Sequence, residues 1–345
     1  MLALQAVTPE DLARAVPEVS LSEARKIVAA VHRGEPVVAS SAVRRIAAHA
    51  AVAAGHVPGL VLVAETASAI DPFVKYLVAA PDGARFEAVR IPLERPGRVT
   101  VCVSSQVGCA LACAFCATGR LGLSRNLAAW EIVEQVRMVR ARLAEGRVHG
   151  VVFQGMGEPL ANLDAVLQAI RVFRDPCGLG IDARAITVCT AGLPGGIRRL
   201  AAEAPQVRLG ISISSAIAAH RRAVMPIAQH HALDDVIAAA ADHARATGLA
   251  PMWAVTLLDG VNDGDADARA LADRARAFHA ATQIRPRISL IDYNPIGAGD
   301  RFVRSPRMPA FRAVLSDAGL ASHRRYSGGS DVAAACGQLA AAGAV

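Results

Sequence analysis

Cys109, Cys113 and Cys116 stand in the run GCALACAFCATG, a C-x3-C-x2-C spacing. Three thiolates on one short loop suit three irons of a 4Fe-4S cube and leave the fourth iron open. An open iron can take a small chelating ligand and pass it one electron, so the spacing points to radical chemistry. A structural zinc site would want a fourth Cys or His, and none lies nearby in the sequence. Phe115, between the last two cysteines, adds the apolar shielding that a redox cluster needs.

Further residues could serve such a centre. Gly155 to Pro159 (GMGEP) follow the apolar run VVFQ, where glycines let backbone approach a ligand and Glu158 can accept from an ammonium group. Asn294, in YNP, offers an amide that donates and accepts at once. Taken alone, Cys102 reads as a strand-core residue, Cys336 as a buried free thiol, Glu87 as a solvated charge and Cys177 as structural. His230 and His231 have no partner at metal-ligand spacing and read as a surface loop.

The elements that must position these residues alternate from Val99 onward. Six apolar runs, RVTVCVSS, GVVFQGMGE, AITVCTAG, VRLGISISS, APMWAVTLLDG and RISLIDYNP, read as strands ending in polar or glycine-rich loops. Helical stretches such as LDAVLQAIRVFRD and DDVIAAAADHARATG fit between them. The pattern predicts an α/β fold with a parallel sheet wound as a partial six-unit barrel, the site lying at the C-terminal strand ends. Before it, residues 1–55 read as a small helical, RNA-binding module, with Thr8 and Ser20 or Ser22 as N-caps and Gly34 closing a helix. Residues 56–98 read as a short β extension and linker with a turn at Asp82-Gly83, and 99–345 as the core.

Of the 345 residues 53% are hydrophobic and 4% aromatic, which suits one large core with an appendage. Seven cysteines without secreted-type spacing favour a reducing compartment. The N-terminus is not patterned as a signal peptide, and no apolar run reaches the roughly 18 residues that a membrane span requires, so the expectation is a cytoplasmic monomer. A net charge of +7 suits a polyanion such as RNA, although an Arg- and Ala-rich composition also follows from a GC-rich genome.

The motifs CVSSQVGCALACAFCATG, RNL, GMGEPLANL, VNDG, YNP and SDVAAACGQL, preceded by Glu87 in RFEAVRIP, follow one another in a fixed order from residue 87 to 339. In this they resemble the RlmN/Cfr family of radical S-adenosylmethionine (SAM) RNA adenine methyltransferases. The resemblance implies that Cys336 becomes an S-methylcysteine intermediate and that Cys102 is the resolving thiol, closing a disulfide with it. It implies Glu87 as proton acceptor, and Gly157, Glu158, Cys189, Ser212, Ile213, Ser214 and Asn294 as SAM contacts. The chain departs from the family at Cys189, where a Ser is usual, and at Ser214, where a His is usual. The implied activity is methylation of carbon 2 of an adenosine in 23S rRNA and also in tRNA, with electrons from flavodoxin or ferredoxin. The alternatives are carbon 8 of the same base, which gives antibiotic resistance, and a diverged radical SAM methylase with a non-RNA substrate. A non-catalytic binder would need neither Cys102 nor Cys336.

Overall fold

The computed structural model describes residues 1–341. At the N-terminus, β1 (Leu2–Ala3) and β2 (Gly55–His56) pair in parallel and bracket helices α1 (Pro9–Ala15), α2 (Leu21–Arg33) and α3 (Arg45–Ala54). Capping boxes start the first two helices: Thr8 exchanges bonds with Asp11, and Ser20 with Glu23, so Ser20 rather than Ser22 is the cap. Leu12, Ile27, Val31 and Ala47 bury their side chains together in a core of their own. Cys177 packs, half-buried, against that core.

The next strands, β3 (Val61–Ala67), β4 (Val74–Ala79) and β5 (Arg85–Pro92), form an antiparallel meander. They do not make a separate layer. β5 pairs with β6 (Arg98–Val103), so the meander continues directly into the main sheet. β7 (Gln106–Gly108) and β8 (Leu123–Asn126) form a small ribbon that flanks the cysteine loop.

From β6 the sheet runs parallel through β9 (Arg147–Phe153), β10 (Ile186–Thr190), β11 (Arg208–Ser212), β12 (Met252–Leu257), β13 (Arg287–Asp292) and β14 (Ser322–Arg325). The six expected parallel strands are present, and β14 adds a seventh. Between strands come α4 (Ala129–Ala141), α5 (Leu163–Arg174), α6 (Pro194–Glu203), α7 (Ala218–Val224), α8 (Leu233–Thr247), α9 (Asp265–Thr282) and α10 (Met308–Asp317). Apart from α7, whose Val224 packs in a smaller cluster with Met225 and Tyr293, their apolar faces and the strands share one core around Phe153, Phe173, Leu200, Trp253 and Leu290.

The sheet is rolled. Cys102 on β6 and Arg325 on β14 line the same cavity although six strand spacings separate them in sheet order. A flat sheet at about 4.8 Å per strand would hold them roughly 29 Å apart.

The segment after β14 laces across the open side of the roll. Asp71 accepts from the Tyr326 hydroxyl and the Gly329 N–H, both at 2.8 Å, and Asp331 accepts from Ser68 Oγ at 2.7 Å. Further along, Thr118 Oγ1 donates to the Leu339 carbonyl at 2.6 Å and Gln338 Nε2 to the Pro295 carbonyl at 2.8 Å.

Candidate active site

Cys109, Cys113 and Cys116 line one cavity at the C-terminal ends of β9 to β13. The loop that carries them is folded tightly: the Cys109 N–H donates to the Gly122 carbonyl at 2.7 Å, and the Cys116 N–H to the Cys113 carbonyl at 3.1 Å. Burial pushes the Cys109 thiol up to about 11 and raises Cys113 and Cys116 as well. Thiols in such a place ionise only when a cation arrives to hold them, which suits metal ligands. Among the described residues no three His, Cys, Asp or Glu side chains converge on a single ion. A cubane does not ask that of them, because each thiolate takes a different iron.

Opposite the thiols stands GMGEP, directly after β9. Gly157 has φ +98, and a Cβ there would lie 2.5 Å from Gln106 Cβ, so only glycine fits this turn. Glu158 is buried, and its carboxylate accepts from the Ala191 N–H at 2.8 Å and the Leu160 N–H at 3.0 Å. Burial raises its pKa. Cys189, Ser212 and Ser214 line the same cavity; Ile213 is fully buried behind it. The Cys189 thiol donates weakly to Gln154 Oε1 at 3.7 Å, and burial pushes it up to about 12.

Cys336 lines this cavity and also a second one, which lies behind it and contains Cys102. Asn294 lines neither cavity. Its Nδ2 donates to the Cys336 carbonyl at 3.2 Å and to Ser327 Oγ at 3.1 Å, while the Cys336 N–H donates to Ser327 Oγ at 2.9 Å. In this structure Asn294 positions the thiol-bearing loop. Glu87 is likewise outside both cavities. Its carboxylate is 1% exposed, sits 3.1 Å from Lys75 Nζ, and accepts from the N–H groups of Ala340 and Ala341 at 2.9 and 3.0 Å. These contacts tether the C-terminal segment. His230 is exposed and His231 half-buried, both away from the site.

Two arginines belong to the site without having been found in the sequence. Arg221, on α7, is buried and donates to the carbonyls of Ser212 and Ala191, each at 2.6 Å, pinning the ends of β10 and β11. Burial lowers its pKa to about 10, and the neighbouring Cys113 thiol opposes that shift. Arg325 reaches the second cavity from β14. One is half of an Arg-Arg pair and the other lies in a strand of polar residues, so neither carried a local signal.

A rolled parallel sheet with a three-cysteine loop at its C-terminal edge defines a radical SAM enzyme, and residues 103–272 match the Radical SAM superfamily. The chain is 59% identical to a probable RNA methyltransferase of Sorangium cellulosum, over 96% of this chain and 90% of that protein. It is 43% identical to a dual-specificity RNA methyltransferase RlmN of Syntrophobacter fumaroxidans, over 77% of this chain and 76% of the relative. A crystal structure of a radical SAM methyltransferase from Sphaerobacter thermophilus superposes with TM-score 0.88 at 35% identity, over 99% of this chain and 100% of that one. This chain belongs to the RlmN-like family of radical SAM methyltransferases. Membership implies SAM and a 4Fe-4S cluster, and the three-thiol loop facing Glu158 is a donor set that fits both.

Proposed function

We propose that the protein methylates carbon 2 of an adenosine in 23S rRNA, and in tRNA, by way of a methyl group carried on Cys336. The position of Cys336 supports this reading most directly, since it is shared between the cavity of the cluster thiols and the cavity of Cys102. A carbon carried on that sulfur has access to both chambers. Cys109, Cys113 and Cys116 would hold the cluster, and Gly157 and Glu158 would meet the methionine end of SAM, the carboxylate accepting from its ammonium group. When bound, cluster and SAM supply the one-electron chemistry that makes an unactivated methyl group reactive. Ring carbon 2 has no nucleophilic lone pair, which is why a methyl group activated on a protein sulfur is needed.

Once the adduct has given up one electron to the redox centre and its carbon 2 proton to a base, Cys102 attacks the Cys336 sulfur. The S–S bond forms as the S–C bond breaks, the freed carbon keeps that pair and takes a proton to become the methyl group, and a disulfide is left for reduction. Flavodoxin or ferredoxin would deliver electrons, in the cytoplasm, to a monomeric enzyme. Among the described residues no helix is long and apolar enough to cross a membrane. The test is to incubate Cys102→Ala with RNA and SAM. A covalent protein–RNA species should accumulate, and it should vanish in Cys102→Ala/Cys336→Ala. A Cys102→Ala enzyme that releases methylated RNA at the wild-type rate would contradict the scheme.

A further inference from the structure

Behind Cys336 the second cavity has Phe73, Val89 and Ile91 as apolar walls, and among the described residues no carboxylate lines it. The cation among its described lining residues is Arg325. The guanidinium makes no hydrogen bond or ion pair among the described residues, and its Nη1 is buried without a partner. Leaving a buried guanidinium nitrogen without a partner is costly, so a ligand that completes it is expected there. The titratable groups facing it are the thiols Cys336, Cys189 and Cys102, and burial keeps Cys189 and Cys102 protonated, so neither of these supplies a counter-charge.

We propose that Arg325 is a catalytic residue that donates a hydrogen bond to N1 or N3, the ring nitrogens flanking carbon 2 of the substrate adenine, in the cavity behind Cys336. The inference rests on the adenine methylation proposed above. It follows from position first: the carbon on Cys336 must bond to carbon 2, and N1 and N3 are the atoms bonded to carbon 2. The base is flat and neutral, matching apolar walls, and these nitrogens are acceptors, matching a group that only donates.

The chemistry gives the contact a purpose. In the addition step the methylene radical on Cys336 and one electron of the carbon 2–nitrogen π bond form the new C–C bond. The other π electron stays on the ring nitrogen. A guanidinium bonded to that nitrogen draws density toward it and stabilises the electron there. Arginine holds its proton throughout, so no proton or outside electron enters the step. The arrangement also separates carbon 2 from carbon 8, whose only acceptor neighbour is N7, since N9 bears the ribose.

The test pairs enzyme and substrate changes. Holoenzyme, wild type and Arg325→Met, is given an RNA fragment carrying the target adenosine or its 1-deaza, 3-deaza or 7-deaza form. The wild type should lose about 10- to 100-fold in methylation rate with the 1-deaza or the 3-deaza base, the range of one charge-assisted bond. Arg325→Met should lose as much on ordinary adenosine and nothing further on that deaza base. Cluster-free protein should show the same pattern in RNA affinity. Arg325→Lys should recover part of the rate, since it restores charge without the fork.

Methylation by Arg325→Met within about threefold of wild type would overturn the inference, as would equal deaza penalties in both enzymes or dependence on N7 alone. Should the variants misfold, the wild-type deaza series still decides. Failure of the wild type on every RNA would instead count against the proposed function.

Discussion

Replacing Glu87 with alanine separates two roles for this carboxylate. In the structure it holds Lys75 at 3.1 Å and accepts from the backbone of Ala340 and Ala341, just past the Cys336 loop. Removing one partner of a buried ion pair costs about 3–5 kcal/mol. Lys75 is 14% exposed and can turn toward water, so the lower figure of about 3 kcal/mol applies. At about 2–4 °C per kcal/mol that is a fall in Tm of roughly 6–12 °C.

Glu87→Gln, which keeps one acceptor oxygen, should lose about half as much. The assay is calorimetry together with alkylation of Cys336 by iodoacetamide, read by mass spectrometry. A loosened tether should make Cys336 react at least several-fold faster, because its loop is held from both ends. Unchanged Tm and unchanged alkylation beside abolished RNA methylation would refute the tether, and would return Glu87 to the role of proton acceptor.

Three other outcomes follow from the geometry. Gly157→Ala meets both a positive φ and the Gln106 side chain, so SAM binding measured by calorimetry should be abolished, with a stability loss of about 2–4 kcal/mol. The thiols of Cys109 and Cys189 ionise near 9 when unfolded but are pushed up to about 11 and about 12 by folding. The stability they lend the cluster-free protein is therefore fully present below pH 9 and is lost between pH 9 and about 12, a fall in Tm that Cys189→Ser should reduce. Asn294→Ala frees the Cys336 carbonyl and Ser327, and should lower the rate of Cys336 methylation about tenfold, measured by peptide mass, with a stability loss near 1 kcal/mol.

Much of the scaffold was legible because its signals are local. Each of the six apolar runs became a parallel strand, and the caps Thr8 and Ser20 sit where a polar residue precedes an amphipathic run. β14 was not legible, since Ser-His-Arg-Arg has no apolar alternation; it is an edge strand fixed by pairing with β13. α6 begins Pro-Gly-Gly, which reads as a turn until packing against α8 selects the helix.

The site divides in the same way. Cysteine spacing within one loop announced a cluster, whereas the meeting of Cys102, Cys336 and Arg325 depends on how far the sheet rolls, a tertiary property that no local pattern encodes. Glu87 and Asn294 show the converse. Family motifs marked both, and the structure adds what each side chain holds.

The central claim is that the methyl carbon passes through Cys336. Enzyme supplied with SAM bearing a fully deuterated methyl group should, after its first turnovers, yield 2-methyladenosine retaining two of the three deuterium atoms, because one is removed while the carbon sits on sulfur. Nucleoside mass spectrometry reads this directly. A methyl group arriving with all three deuterium atoms would mean direct transfer from SAM and would contradict the account.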